Sequence, residues 1–169
     1  MFISIVIPAY NASLHVEKAL RSIVEGFDQS YSWELEVIVV DDGSQDGEIL
    51  ASICSLFTGV RLVSHASNRG LCAARNTGIR ESRGDYVTLL DADDEFVSCW
   101  FVALLEILGE WPASANVCFT QCINDAGKRT CVRPDYTGWL TAEDMVLEHF
   151  SGEYNPIFRG NYIRHAGFN

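Results

Sequence analysis

Hydrophobic positions along the chain switch between two periods. Phe2-Ile3-Ser4-Ile5-Val6-Ile7 is a short β-branched run that predicts a buried strand, ended by Pro8. The next apolar residues, Val16, Ala19, Leu20, Ile23 and Phe27, return at helical spacing on one face, with Asn11 or Ser13 placed to cap the helix. Leu35–Val40 predicts a second strand that runs straight into Asp41 and Asp42. Ile49, Leu50, Ile53 and Phe57 mark a short helix with Asp46 as its cap, and Val60–Val63 a third, shorter strand. Residues 71 to about 80 read as a helix whose small residues Ala73, Ala74, Thr77 and Gly78 permit close packing. Tyr86–Leu90 predicts a fourth strand entering Asp91. Ser98 then caps a helix bearing Phe101, Leu104, Leu105 and Leu108, and Val117–Cys122 reads as a fifth strand.

Strands alternating with helices at this spacing predict an α/β fold: a mostly parallel central sheet flanked by helices on both faces. Ligands of such sheets sit beyond the carboxyl ends of the strands. Three strands end there in polar or acidic residues: Pro8-Ala9-Tyr10-Asn11, Asp41-Asp42-Gly43-Ser44 and Asp91-Ala92-Asp93-Asp94. Together they would form one acidic rim. After Cys122 the alternation weakens. Asn124–Gly127 reads as a turn, Arg129–Trp139 as irregular, and Thr141–Phe150 as a helix capped by Thr141. Ser151–Asn155 reads as a loop, Pro156–Arg159 as a short strand, and Tyr162–Ala166 as a short helix stopped by Gly167. No repeat, low-complexity tract or linker divides the chain.

Composition narrows the partners. The 169 residues are 48% hydrophobic and 21% charged, a globular balance. With 12 basic against 23 acidic residues the net charge is -11, which excludes a phosphate backbone as partner, since that needs basic stripes. It leaves room for a nucleotide, because a divalent cation can bridge carboxylates to a diphosphate. The six cysteines show no zinc spacing and no small disulfide framework, so reduced thiols and a cytoplasmic location are expected. No run of 18 apolar residues occurs, so membrane association is expected only through sequence outside this chain, at the cytoplasmic face.

Asp91, Asp93 and Asp94 fall within four residues just past a buried strand. Packing them together is costly unless a cation or hydrogen-bond donors answer them, and hard oxygen ligands favour magnesium or manganese. The plainer alternative is an acidic, solvent-facing loop before the Ser98 helix. Asp41 and Asp42, followed by Gly43 and Ser44, either make an Asx-turn or accept from a base or ribose. Tyr10 either stacks on a base or joins the core. Asn68-Arg69-Gly70-Leu71 opens a helix whose free amides can face a phosphate, and Arg75 either reaches that phosphate or pairs with a nearby carboxylate. The sequence lacks G-x-G-x-x-G after the first strand, the P-loop, the nucleophile elbow and H-E-x-x-H.

Four blocks carry a resemblance to a known family: Ser4–Asn11, Val39–Asp46, Asn68–Gly78 and Gly84–Asp94. In this order they resemble family 2 glycosyltransferases, which have the GT-A (Rossmann-like) fold. The resemblance implies a single GT-A-like domain over residues 1–169, incomplete at its C-terminus. Residues 1–122 would be the nucleotide-binding core and 123–169 the start of the acceptor-side region. It further implies that Pro8, Ala9, Tyr10 and Asn11 line a nucleoside pocket and that Asp42 reads the base. Asn68, Gly70, Arg75 and Asn76 would lie near the ribose and diphosphate. Asp91-Ala92-Asp93 matches the D-x-D signature, with Asp93 as the first metal ligand and Asp91 and Asp94 as neighbouring candidates.

The activity so implied is metal-dependent transfer, with inversion, from a nucleoside-diphosphate sugar to a carbohydrate or glycolipid hydroxyl. UDP is favoured over GDP, and Mn2+ or Mg2+ is the cofactor. The setting would be polysaccharide or glycoconjugate biosynthesis. The family's catalytic base follows a segment that Gly167-Phe168-Asn169 resembles, so no base is named and it is expected beyond Asn169. Glu143-Asp144 precedes that segment and suits a helix first turn better. Two alternatives remain: a module that binds donor without turnover, and a nucleotidyltransferase, which Asn11-Ala12-Ser13 disfavours. A homodimer through apolar surface left open on the acceptor side is a further expectation.

Overall fold

In the computed structural model, residues 1–27, 32–97, 99–111, 117–121 and 154–167 are described. Six strands form one sheet: β1 (Phe2–Ala9), β2 (Glu34–Asp41), β3 (Val60–Ser64), β4 (Tyr86–Leu89), β5 (Val117–Gln121) and β6 (Tyr154–Arg159). Five helices accompany them: α1 (Val16–Gly26), α2 (Gly47–Cys54), α3 (Leu71–Glu81), α4 (Trp100–Glu110) and α5 (Gly160–Ala166). The strand order is β3-β2-β1-β4-β6-β5. β1 pairs in parallel with both β2 and β4, and β2 with β3, whereas β6 runs antiparallel to β4 and β5. The expected mostly parallel sheet is therefore present.

Strand alternation sorts the side chains onto two faces. Ile3, Ile5, Ile7, Val37 and Val39 point to one side, where α1 covers them with Val16, Ala19, Leu20 and Ile23 and α4 with Trp100, Phe101 and Leu104. Val6, Ile38, Val40, Val87 and Leu89 point to the other, against Ala74 and Ile79 of α3 and Ile163 of α5. The small residues of α3 set its depth. A Cβ on Gly78 would overlap the Val6 side chain and come within 3.2 Å of Val40, so this helix lies closer to the sheet than most side chains allow.

Pro8 does not end β1, which continues to Ala9. The reason lies in the ladder. Val6 O accepts from Leu90 N on the β4 side, and Ala9 O accepts from Asp42 N on the β2 side. Pro8 has the parity of Val6, so its backbone faces β4, whose pairing with β1 stops at Val6. No ladder donor is needed where Pro8 lacks one.

The capping expectations change. His15, not Asn11 or Ser13, stands at the N-cap of α1, without a side-chain capping bond. Asn11 and Ser13 are engaged elsewhere: Gln45 N donates to Asn11 Oδ1 at 2.9 Å, and Ser13 N to Asp46 Oδ2 at 3.0 Å. Asp46 does occupy the N-cap of α2, but its side chain makes no capping bond there. Tyr154 and Asn155, expected in a loop, begin β6, because pairing with Gln121 and Thr120 extends that strand. The helix ending at Ala166 stops at Gly167 as expected. The expected turn at 124–127, the 129–139 segment, the 141–150 helix with Glu143 and Asp144, and the Ser98 cap lie outside the described residues.

Candidate functional site

The chain leaves β1 towards β2 and β3 on one side, then crosses back to β4 on the other. β1 and β4 are neighbours where the strand order reverses, and the loops that leave their carboxyl ends, towards α1 and α4 on the same face, stand side by side there. A cleft of about 310 Å³ lies there, lined by Pro8, Tyr10 and Asn11 from the end of β1 and by Asp91, Ala92 and Asp93 from the end of β4. All six are residues the sequence singled out. Ala12, His15 and Leu71 complete the lining. None of these three was among the expected site residues, although Leu71 lies inside the Asn68–Gly78 block and Ala12 and His15 lie within four residues of Asn11. Tyr10 is 49% exposed and belongs to the cleft surface rather than to the core.

The acidic loop divides its labour. Asp91 accepts from Arg75 Nη2 at 2.8 and 3.2 Å, so Arg75 takes the carboxylate partner that the sequence left open. Asp94 N donates to Asp91 O at 3.0 Å, closing a tight turn that leaves Asp93 exposed on the cleft wall. Asp94 is exposed as well. Among the described residues no three His, Cys, Asp or Glu side chains converge as a ready cage. A small hard cation does not need one, since it commonly takes one or two carboxylates and fills its shell with water and substrate phosphate. An exposed Asp93 beside an Asp91 already balanced by Arg75 fits such an ion.

Asp41 and Asp42 have separate tasks. Ser44 N donates to Asp41 Oδ1 at 2.9 Å, which makes an Asx-type turn, one of the two uses the sequence left open. Gly43 sits in that turn at φ 73, and a Cβ there would strike the backbone of Ser67 and Asn68. Asp42 is 2% exposed. Its carboxylate accepts from His65 Nδ1 at 2.6 Å, from Arg69 N at 3.0 and 3.1 Å, and from Gly70 N at 2.7 Å. The amides of Arg69 and Gly70 are thus spent on Asp42, immediately before the first amides of the helix that Leu71 opens. Burial raises the Asp42 pKa, but the bonds from His65, Arg69 and Gly70 outweigh it and hold the carboxyl below its ordinary value.

The remaining candidates fall around these contacts. Ala9 is buried as the last residue of β1. Asn68 is exposed, and Gly70 precedes α3 at φ 90. Asn76 borders the end of α5: its Oδ1 is 3.2 Å from where a Cβ on Gly167 would sit.

Comparison with known proteins adds the following. The profile of glycosyl transferase family 2 matches residues 4–157. An uncharacterized glycosyltransferase of Escherichia coli (strain K12), YibD, is 32% identical over 172 residues, covering 96% of this chain and 48% of that protein. Among solved structures, S. aureus TarS 1-349 superposes with a TM-score of 0.76 at 20% identity, over 98% of this chain and 49% of that one. It has also been solved in complex with UDP-GlcNAc. The Pyrobaculum calidifontis mannosyltransferase PcManGT, solved in complex with GDP-Man and Mn2+, superposes with a TM-score of 0.67 at 22% identity, over 99% of this chain and 47% of that one. The fold is of the GT-A type, and the chain spans about half the length of these proteins. Among the described residues no helix is long and apolar enough to cross a membrane.

Proposed function

The chain belongs to glycosyl transferase family 2, and from that premise we propose that its switch-point cleft binds a nucleoside-diphosphate sugar, a UDP-sugar in preference to a GDP-sugar. The whole protein would transfer the sugar to a carbohydrate or glycolipid hydroxyl, with inversion at the anomeric carbon, in glycoconjugate biosynthesis. One observation carries the reading: the exposed aspartate Asp93 and the half-exposed Tyr10 share one cleft at the strand ends. An aromatic surface suits a base, and an acidic wall suits a cation-bound diphosphate. The complexes of the two solved relatives, with UDP-GlcNAc and with GDP-Man and Mn2+, support the same ligand class.

In this reading Tyr10 stacks on the base, and Pro8 and Asn11 shape the pocket around the nucleoside. Asp42, through the turn it holds, sets Asn68 and Gly70 near the ribose and diphosphate. Asp93, with Asp91 and Asp94 beside it, would hold Mg2+ or Mn2+, and the ion when bound would stabilise negative charge on the leaving diphosphate. Arg75 keeps Asp91 oriented and neutralised, so the wall is less repulsive to phosphate than its carboxylates alone would make it. The base that deprotonates the acceptor must act from the face opposite the diphosphate, so neither Asp91 nor Asp93 serves as that base.

Titration calorimetry with UDP in the presence of Mn2+, and again with chelator, tests this. The expected result is binding that chelation weakens, and an Asp93→Asn variant that loses affinity by about tenfold or more with metal present. Equal affinity with and without chelator would remove the cation from the site. An unaltered D93N would move the ligand role to Asp91 or Asp94.

A further inference from the structure

His65 follows β3, and its backbone N–H donates to Asp41 O at 2.8 Å. Its side chain is 6% exposed and lies between Asp42 and α3. Nδ1 is 2.6 Å from Asp42 Oδ1, and Nε2 is 2.9 Å from Thr77 Oγ1. Arg80 Nη2 donates to the same hydroxyl at 2.9 Å. Guanidinium only donates, so Thr77 Oγ1 accepts from Arg80 and can give its single proton to Nε2. That leaves the ring proton on Nδ1, donated to Asp42. The neutral imidazole in this tautomer satisfies every group in the chain of contacts.

The other side of Asp42 accepts from the amides of Arg69 and Gly70, immediately before α3. Gly70 and Thr77 are seven residues apart, or about 10 Å of helix. One Asp42–His65 pair therefore ties α3 to the strand ends at its start and again two turns on. Two ties that far apart fix the helix along its axis and about it. The functional consequence lies in what α3 presents. Leu71 lines the cleft and Arg75 pairs with Asp91 on the cleft wall.

We infer that His65 is a positioning residue for donor binding: it acts through Asp42 and Thr77 to seat α3, and thereby places Leu71, Arg75 and Asp91 around the ligand. This rests on the donor-site reading above. His65 is not among the residues lining the cleft, and it touches the ligand only through others. The Asp42 carboxylate only accepts, so an N–H at the Nδ1 position matters rather than the bulk of the side chain.

The experiment measures UDP affinity with Mn2+ for wild type, His65→Ala, His65→Asn and Thr77→Val, at low temperature where circular dichroism shows each to be folded. Amide exchange at Arg69 and Gly70 is measured without ligand. Asparagine can present an N–H where Nδ1–H stands. H65A is expected to bind about tenfold more weakly, the change expected for losing one charge-assisted hydrogen bond, with faster exchange at both amides. H65N should recover most of the affinity, and T77V should fall between H65A and wild type. Wild-type affinity in H65A overturns the inference, and so does an H65N as weak as H65A, because the link through Asp42 is then wrong. If H65A does not fold, T77V decides alone, and unchanged affinity there overturns it. A wild type that binds neither UDP nor GDP with metal sinks the donor site itself, and with it any positioning role, a failure seen before a variant is made.

Discussion

Asp42 is the residue whose replacement should cost most, because its carboxylate is buried and its partners are all donors. In Asp42→Ala the amides of Arg69 and Gly70 and the Nδ1–H of His65 lose their acceptor together. Each buried orphan costs roughly 1–3 kcal/mol, so the loss should be about 4 kcal/mol even if water reaches one of them. That is a large share of the roughly 5–15 kcal/mol that holds an ordinary domain together. Asp42→Asn should behave differently. If its amide NH2 takes the place of Oδ1, His65 can move its ring proton to Nε2, accept at Nδ1 and donate to Thr77. The remaining oxygen then still faces Gly70 N, at 2.7 Å from the present Oδ2, and Arg69 N at 3.1 Å. The charge, one branch of the Arg69 bond and the acceptor of the Thr77 hydroxyl proton are lost, worth about 2 kcal/mol together. Equilibrium urea unfolding followed by tryptophan fluorescence measures both variants. The expected order is Ala far below Asn, with Asn modestly below wild type. Equal costs for the two variants would refute the reasoning, since the asymmetry comes from the ability of His65 to switch tautomer.

Three further outcomes follow from other parts of the molecule. Burial raises the Glu36 pKa, but bonds from Ser4 Oγ and from the Arg83 backbone and side chain outweigh it, so the folded value lies below the ordinary 4.5. The unfolded chain then binds more protons, and the stabilisation is complete above about 4.5 and lost as pH falls through the folded value. Glu36→Gln should therefore be less stable than wild type near pH 7, with the gap closing in acid; a gap independent of pH would contradict this. Gly78→Ala gains up to about 1 kcal/mol in helix propensity but drives a methyl into Val6 and towards Val40. Overpacking of about 1–3 kcal/mol should win, and Val6→Ala in the same chain should recover part of the loss in thermal unfolding. Burial and the nearby Asp41 push the Cys54 thiol up to about 11, whereas Cys72 and Cys99 are exposed. Alkylation of the native chain near pH 8, mapped by mass spectrometry, should label those two and spare Cys54. Early labelling of Cys54 would show that its cover opens.

Much of this fold is written locally. Near-continuous apolar runs in Phe2–Ile7 and Leu35–Val40 identify strands buried on both faces, and helical spacing from Val16 to Ile23 identifies a helix buried on one. The acidic ends of those strands likewise mark the rim, since Asp91 to Asp94 stand where a strand must stop. Sheet order is not written in this way. The placement of β1 between β2 and β4, which opens the cleft, comes from a crossover that no local period records. Pro8 is an example: in sequence it reads as a strand breaker, and only the departure of β4 makes it a strand residue.

The same limit governs the site. Position at the strand ends placed Tyr10, Asn11, Asp91 and Asp93 on one edge, while Tyr10 stayed open between base and core and the aspartates between a cation and solvent. Whether Asp42 meets a ligand or a neighbour was undetermined until His65, 23 residues away, came within 2.6 Å. Arg75 was equally open between phosphate and carboxylate until β4 brought Asp91 to it. Hydrogen bonds between distant segments depend on angstrom-scale placement, which packing sets. The sequence thus determined which groups the edge would carry, and the tertiary structure decided which of them face the cleft and which hold it in shape.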